Sequence, residues 1–223
     1  MTVAWLARLT SSAMHIMNAA KQTQINLKQR ALMTKTHDTD NTWLVIIDMQ
    51  TIFSAYPKWW GCPKFDDIIE PIRQLAAQYA DRTLLTRFVA GADHQGSWAP
   101  YYETFPFANV PGTDSIYDVV NPLKSLIHDD NVVTMTTFSK WGNEHHGVRA
   151  KTGAYPHLIL TGVSTDCCVL STAMAAAEAG AFVTVALDAC AGSSDTNQLA
   201  ATNILKGYAP LINIVDHQAL LKK

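Results

Sequence analysis

Short and almost continuously apolar runs recur along the chain from about residue 42 onward. There are six of them, at residues 43–48, 83–88, 132–138, 157–163, 182–188 and 211–216. A strand that is covered on one face alternates apolar and polar residues, whereas a parallel strand covered on both faces is apolar throughout. The runs therefore predict strands of a mainly parallel sheet that is buried on both sides.

Helical stretches separate these runs. Residues 64–80 place apolar side chains along one stripe, residues 169–179 are rich in alanine, and residues 196–208 follow a Ser-Ser-Asp cap. Strands that alternate with helices predict right-handed crossovers. We therefore expect an α/β fold, a three-layer, doubly wound, Rossmann-like sheet of about six strands. Residues 89–131 are an exception, a long stretch rich in Gly, Pro and aromatic residues with one short helix near 115–128; such insertions often serve a site.

The composition narrows the class of protein. The chain has 223 residues, of which 48% are hydrophobic, and a formal net charge of −2. This apolar fraction excludes a disordered chain, the small net charge gives no reason to expect nucleic-acid binding, and no apolar run reaches the length of a membrane span. Four cysteines are too few for a disulfide scaffold. We expect a cytoplasmic protein that acts on a small molecule as a homo-oligomer, either a dimer or a tetramer.

The net charge conceals an asymmetry. Residues 1–37 contain five Lys or Arg and no Asp or Glu, which leaves twelve basic and nineteen acidic residues, a formal charge of −7, in the remainder. The basic segment has three interpretations: an organelle-targeting leader, an added helix that covers the core or a subunit contact, or an upstream start with the true start at Met33. We therefore divide the chain into an N-terminal extension, residues 1–40, and a single domain, residues 41–223.

Candidate chemistry lies where the predicted strands end. Asp48 closes the first strand, Lys140 follows the third, and Cys167 and Cys168 lie between the fourth strand and the alanine-rich helix. The carboxyl ends of parallel strands meet at one edge of the sheet, and a helix N-terminus lowers the pKa of a thiol. Each residue alone is more often structural, as a turn, a surface charge or core filling. Together they predict a base, a cation and a nucleophile in one site.

Three segments resemble the isochorismatase-like cysteine hydrolases over about residues 42–220. They are Asp48-Met-Gln-Thr-Ile-Phe53, Ser139-Lys140-Trp141, and Thr161-Gly-Val-Ser-Thr-Asp-Cys-Cys-Val-Leu-Ser-Thr-Ala173. The resemblance implies Cys168 as the nucleophile, Asp48 as the base and Lys140 as the third member of a triad. It also implies a cis peptide between Val163 and Ser164, and an oxyanion hole formed by the backbone N–H groups of Ser164 and Cys168. Cys167 would be a packed or secondary thiol.

The resemblance also indicates which branch of the superfamily this sequence is most similar to. The cysteine favours the amidase-type branch, because true isochorismate hydrolases do not need it. Nicotinamidases carry an S/T-R-D-W-H segment whose Asp and His bind a metal, and here Phe88 and Ala90 occupy those positions. We therefore expect no metal and no cofactor. Residues 144–146, Glu-His-His, have two interpretations: a metal-binding cluster, or a solvated or substrate-facing loop.

The expected function is cleavage of a C–N bond, in an amide, a ureide or a related small molecule, through a thioester. Phe53, Trp98 and Trp141 lie near the predicted strand ends and are expected to line a pocket for a partly apolar or planar substrate, with core packing or a subunit contact as the alternative. Two rival functions remain: a non-covalent ether hydrolase that acts through Asp48 alone, and a non-catalytic redox or binding protein that uses the two adjacent cysteines.

Overall fold

The computed structural model describes residues 41–128 and 130–221, which belong to one compact unit, Asp40–Lys223. The N-terminal extension expected at residues 1–40 lies outside the described residues. No helix in the described part of the chain is both long enough and apolar enough to cross a membrane.

Six parallel strands form one sheet, which confirms the predicted α/β class. The order across the sheet is β3-β2-β1-β4-β5-β6, and every neighbouring pair is parallel. The chain passes from β3 at one edge to β4 beside β1, so the strand order reverses between the neighbouring strands β1 and β4. In such sheets ligands bind outside the carboxyl ends of the strands at this point of reversal. The strands are β1 Thr42–Ile47, β2 Thr83–Phe88, β3 Val132–Met135, β4 His157–Val163, β5 Phe182–Ala191 and β6 Ile212–Val215.

Alternate residues of β1 show why its sequence is apolar throughout. Leu44 and Ile46 join one core with the helix that lies in the crossover from β1 to β2, and Val45 and Ile47 join a second core with the alanine-rich helix. All four side chains are fully buried, so both faces of the sheet are covered.

The helices are α1 Thr51–Ser54, α2 Ile69–Gln78, α3 Trp98–Thr104, α4 Asn121–Lys124, α5 Val148–Thr152, α6 Leu170–Glu178 and α7 Asp195–Gly207.

The long insertion differs from its prediction. The single helix expected near residues 115–128 is instead a 3₁₀ turn, Ser115–Tyr117, followed by the four-residue α4. The chain is extended between them because Val119 pairs with Gln50 in an isolated β-bridge. The unpredicted helix α3 has almost no aliphatic residues. It is stabilised by aromatic packing, in which Trp98 and Tyr101 both contact the ring of Phe138.

Two strand ends also differ from the prediction, and both differences shape the site. β3 ends at Met135 rather than near residue 138, and the chain then turns toward Lys140. β5 continues to Ala191 rather than ending at residue 188, because Cys190 and Ala191 pair with Gly162 and Val163 beyond a bulge in the register. Gly162 has a φ of +100°, and a Cβ there would lie 2.1 Å from the carbonyl oxygen of Ile47. Only glycine therefore allows β4 to approach β1 so closely.

Candidate active site

Asp48 and Lys140 form a fully buried ion pair at the carboxyl edge of the sheet. Asp48 follows β1 directly, with a φ of +50°, and Lys140 lies five residues after β3. Lys140 Nζ lies 3.0 Å from Asp48 Oδ2, and both side chains have no exposed surface. A buried charge is tolerated only with an opposite charge and further hydrogen-bond partners. The predicted juxtaposition of these two residues is therefore present across the intervening strand β2.

Neutral groups orient each member of the ion pair. Thr86 on β2 donates a hydrogen bond of 2.6 Å to Asp48 Oδ1 and accepts one of 3.2 Å from the Asp48 N–H. Lys140 Nζ donates to the Thr137 carbonyl at 2.7 Å and lies 4.9 Å from the centre of the Phe88 ring. Asp48 Oδ2 forms no aligned hydrogen bond with any described residue. Oδ1 is thus held by Thr86, whereas Oδ2 contacts Lys140 in the ion pair.

The cysteine turn connects β4 to α6. Residues Thr165–Val169 form a π-helical turn, and the Val163–Ser164 peptide before it is cis, as the resemblance implies. The carbonyl of Ser164 accepts hydrogen bonds of 3.1 Å from the N–H groups of both Cys167 and Val169. This turn places Cys168 at the start of the helix, where its side chain is buried, while Cys167 is partly exposed.

The two adjacent thiols have opposite shifts in pKa. The hydrogen bond with Cys167, burial and the nearby Asp48 carboxylate raise the pKa of Cys168 well above its usual value, against the opposing effect of Lys140. The same hydrogen bond lowers the pKa of Cys167. Burial raises the pKa of Cys62 to about 12 and also raises that of Cys190. The resting site therefore holds Cys168 as a neutral thiol.

This difference predicts the order of alkylation in the absence of substrate. At pH 7.5, iodoacetamide is expected to modify Cys167 before Cys168, because the lowered pKa of Cys167 gives it the larger thiolate fraction. The rate at Cys168 is expected to keep rising with pH beyond the range of an ordinary thiol, since its thiolate forms only near its raised pKa. Peptide mapping by tandem mass spectrometry locates each label. Faster labelling of Cys168 at neutral pH would contradict the assignment, and Cys167→Ser serves as the control that removes the fast phase.

A cavity of about 450 Å³ opens on the cysteine turn. Its lining contains seven aromatic residues and a smaller polar part from the turn and from Ser193. The aromatic lining residues are Phe53, Trp59, Trp60, Phe88, Tyr101, Phe105 and Phe138, and the remaining ones are Gly61, Ser164, Asp166, Cys167, Cys168 and Ser193. Phe53, Ser164 and Cys168 thus line the cavity, whereas Asp48 and Lys140 are fully buried and are not part of its lining.

Two pocket residues expected from the sequence are placed elsewhere. Trp98 does not line the cavity but packs behind it, with its ring centre 5.2 Å from that of Phe138 and 6.5 Å from that of Phe88. Trp141 is 3% exposed and belongs to the core on the α6 side of the sheet. The expectation was wrong for both because proximity to Lys140 or to a strand end in sequence does not determine which way an indole points.

Several residues that position the site were not identified from the sequence. Thr86 contacts Asp48 as described above. Thr172 contacts Lys140, because its hydroxyl accepts a hydrogen bond of 2.9 Å from the Lys140 N–H. Gln50, which is fully buried, accepts from the Phe88 N–H and donates to the Phe88 and Tyr117 carbonyls, so it joins β2 to the insertion. The glutamine of the Asp48-Met-Gln segment was the available signal for this contact. Nothing local distinguished Thr86 from any other strand threonine.

Residues 144–146, considered above as a metal cluster, are exposed. Asp93, which follows the segment at the nicotinamidase metal position, is also exposed, and the adjacent His94 is half-buried. Glu144 Oε1 lies 3.7 Å from His145 Nε2, while His146 Nδ1 contacts Asn143 Oδ1 at 3.0 Å. His94 Nε2 lies 2.7 Å from Asn109 Oδ1. No group of three or more His, Cys, Asp or Glu side chains within residues 41–128 and 130–221 is arranged to hold a metal ion.

Comparison with known proteins identifies the family. Residues 42–217 match the model of the isochorismatase domain. The chain belongs to the isochorismatase family. This family contains hydrolases, and the cysteine turn, the buried aspartate and the buried lysine of this isochorismatase-family protein lie within the matched residues. A search of the curated proteins finds no match.

Solved structures with the same fold include several members of this family. A pyrazinamidase/nicotinamidase from Streptococcus mutans UA159 is 26% identical, covers 78% of this chain and 99% of its own, and has a TM-score of 0.62. An isochorismatase family protein from Desulfovibrio vulgaris is 22% identical, with coverages of 81% and 96% and a TM-score of 0.64. A cysteine hydrolase from Pseudomonas syringae pv. phaseolicola 1448A is 18% identical, with coverages of 81% and 90% and a TM-score of 0.64. The latter two similarities concern the fold alone.

Proposed function

We propose that this isochorismatase-family protein is a cysteine hydrolase that cleaves the C–N bond of a small amide or ureide through a thioester. The observation that carries the proposal is that Cys168 lines the cavity within electrostatic reach of the buried Asp48–Lys140 pair. A nucleophile, a base that accepts its proton, and a cation that holds the base are the parts that acyl transfer requires.

Acylation begins with proton transfer from the Cys168 thiol to Asp48 Oδ2. The thiolate attacks the carbonyl carbon, and the backbone N–H groups of Ser164 and Cys168 receive the developing oxyanion. The raised pKa of Cys168 fits this order, because the proton leaves the thiol as the new C–S bond forms rather than in the free enzyme. The tetrahedral intermediate collapses, the C–N bond breaks, and Asp48 returns the proton to the departing amine or ammonia.

Deacylation reverses the roles of the same groups. Asp48 removes a proton from a water molecule, the water oxygen attacks the thioester carbonyl, and the acid product leaves as the C–S bond breaks and Cys168 regains its proton. Lys140 cannot leave its position, because Asp48, the Thr137 carbonyl and the Phe88 ring all hold its ammonium group. It stabilises the negative charge that moves between the carboxylate and the sulfur.

The Streptococcus mutans protein supports C–N rather than ether chemistry, since its name is that of an amidase and it is 26% identical to this chain. The presence of Cys168 at the cavity, near enough to the Asp48 carboxylate for that charge to raise the thiol pKa, supports the covalent path over one that uses Asp48 alone.

The proposal is tested by screening small amides, imides and ureides for ammonia release. A substrate that is turned over is then mixed with the enzyme, and the reaction is quenched in acid within milliseconds. The mass of the intact protein is measured by mass spectrometry. We expect the mass to increase by that of one acyl group, located at Cys168 by peptide mapping. Turnover of vinyl ethers but of no C–N substrate, or amide turnover that survives complete alkylation of Cys168, would overturn the proposal.

Thr86 is expected to affect turnover rather than binding. Thr86→Val removes the hydrogen bond that fixes the Asp48 carboxylate, and such bonds to charged groups contribute about 1.5–3 kcal/mol. We therefore expect kcat to fall about 10- to 100-fold with little change in KM. Steady-state kinetics measure both, and Thr86→Ser should recover most of kcat. Thr161→Val is the matched control, because it removes a buried threonine hydroxyl that bonds the Val45 carbonyl instead; an equal loss of kcat there would contradict the assignment.

A further inference from the structure

The cavity is divided into two chemically different parts. Apart from the Tyr101 hydroxyl and the indole N–H groups of two tryptophans, the polar side chains among the described lining residues come from the cysteine turn or from Ser193. The remaining lining is aromatic apart from Gly61. The aromatic part is assembled from α1 and the loop after it, from α3 and its end, from the end of β2 and from the turn after β3. A substrate whose carbonyl carbon meets Cys168 therefore extends its remaining atoms along aromatic rings.

The aromatic part of the lining, called the aromatic wall below, is packed ring against ring in the absence of substrate. Trp60 lies at its centre, with ring-centre distances of 6.0 Å to Phe53, 5.8 Å to Phe88, 5.9 Å to Tyr101 and 5.6 Å to Phe105. Most of these pairs are edge-to-face or tilted, the arrangement that also accommodates a further ring. A cavity of about 450 Å³ lies within the range of small-molecule sites, about 300–1,000 Å³.

The charge of the lining opposes an anion. No lysine, arginine or histidine lines the cavity in the described part of the chain, and its one acidic residue is Asp166. Both Asp166 oxygens are used locally, since Oδ1 accepts from the Ser193 N–H at 2.8 Å and Oδ2 from the Ser193 hydroxyl at 2.7 Å. The nearby Lys140 is fully buried and paired with Asp48. A carboxylate in the cavity would therefore meet a like charge and no accessible cation.

We propose that this site is selective for amides whose acyl part is an uncharged aromatic ring, and that it rejects amides that carry a carboxylate. The proposal rests on the proposed function for the attack by Cys168, and it extends that function by naming the acyl group. The aromatic wall supplies stacking and edge contacts to the ring. Asp166 supplies a negative charge, and the Ser193 N–H and hydroxyl both donate to it, so neither group is left to bind an anion.

The test compares benzamide, 4-carbamoylbenzoate and butanamide, which differ by a carboxylate and by the ring. We expect kcat/KM for benzamide to exceed that of each of the others by at least tenfold. Asp166→Asn removes the charge, while its amide oxygen still accepts from the Ser193 N–H and its amide nitrogen donates to the Ser193 hydroxyl in place of the present bond. The substitution is expected to narrow the gap between benzamide and 4-carbamoylbenzoate several-fold. Asp195→Asn, which removes an exposed charge outside the cavity lining, is the matched control and should leave that ratio unchanged.

Binding to the Cys168→Ala variant separates this proposal from the proposed function. Titration calorimetry on that variant is expected to show benzamide binding at least tenfold tighter than the other two compounds. Tighter benzamide binding without any ammonia release by the wild-type enzyme would support the selectivity and refute the amidase function. Equal or tighter binding of 4-carbamoylbenzoate or butanamide, or no measurable binding of benzamide, would overturn the selectivity.

Discussion

Cys168→Ala is expected to lower kcat for a C–N substrate by about 10⁴-fold or more, the scale on which loss of a covalent nucleophile acts. Asp48 and the cavity remain, but no atom is left to form the thioester. The fold should tolerate the change, because a single sulfur atom is removed from a buried position at the start of α6. Ammonia release measures the activity, and thermal unfolding with circular dichroism confirms that the variant is folded.

Cys167→Ser provides the matched comparison, because it changes the same kind of side chain one residue earlier in the same cavity. We expect it to keep turnover within about tenfold of the wild type, since Cys167 has no place in the covalent step. A Cys168→Ala enzyme with wild-type kcat would refute the thioester path and favour catalysis by Asp48 alone. Inactivity of Cys167→Ser with full activity of Cys168→Ala would exchange the roles of the two thiols.

Lys140→Met is expected to lower the free energy of unfolding by about 3–5 kcal/mol, because it leaves the Asp48 carboxylate buried without its counter-charge. Asp48→Asn should have a similar effect, since it leaves the Lys140 ammonium unpaired. Both variants are expected to lose catalysis as well. Urea denaturation at pH 7 measures the stability, and ammonia release measures the activity.

The double variant Asp48→Asn/Lys140→Met separates stability from function. It removes both charges, so we expect it to recover most of the stability that either single variant loses, while it stays inactive. Lys124→Met, which breaks an exposed pair with Asp118, is the control and should cost no more than about 1 kcal/mol. Additive losses in the double variant would show that the buried pair is not energetically coupled, contrary to this interpretation.

The strands and main helices were predictable because burial on both faces imposes a visible pattern. Each run from β1 to β6 is apolar in sequence and was placed within a few residues. The helix α3 could not be predicted, since its Trp and Tyr residues form no aliphatic stripe and are stabilised by rings far away in sequence. The end of β3 was also misplaced, because its turn is held by the contact between Lys140 and the Thr137 carbonyl.

The sequence by itself determined the α/β class and the edge of the sheet where Asp48, Lys140 and the two adjacent cysteines meet, because these depend on local pattern and strand polarity. The choice of Cys168 as the nucleophile came from the resemblance to the isochorismatase-like cysteine hydrolases and stays a prediction. Only the tertiary structure decided that Thr86 holds one carboxylate oxygen of Asp48, that Lys140 faces the other, and that Trp98 and Trp141 pack away from the cavity. Side-chain direction and hydrogen-bond partners are set by strands that are distant in sequence and adjacent in space. The chain order alone does not contain that adjacency.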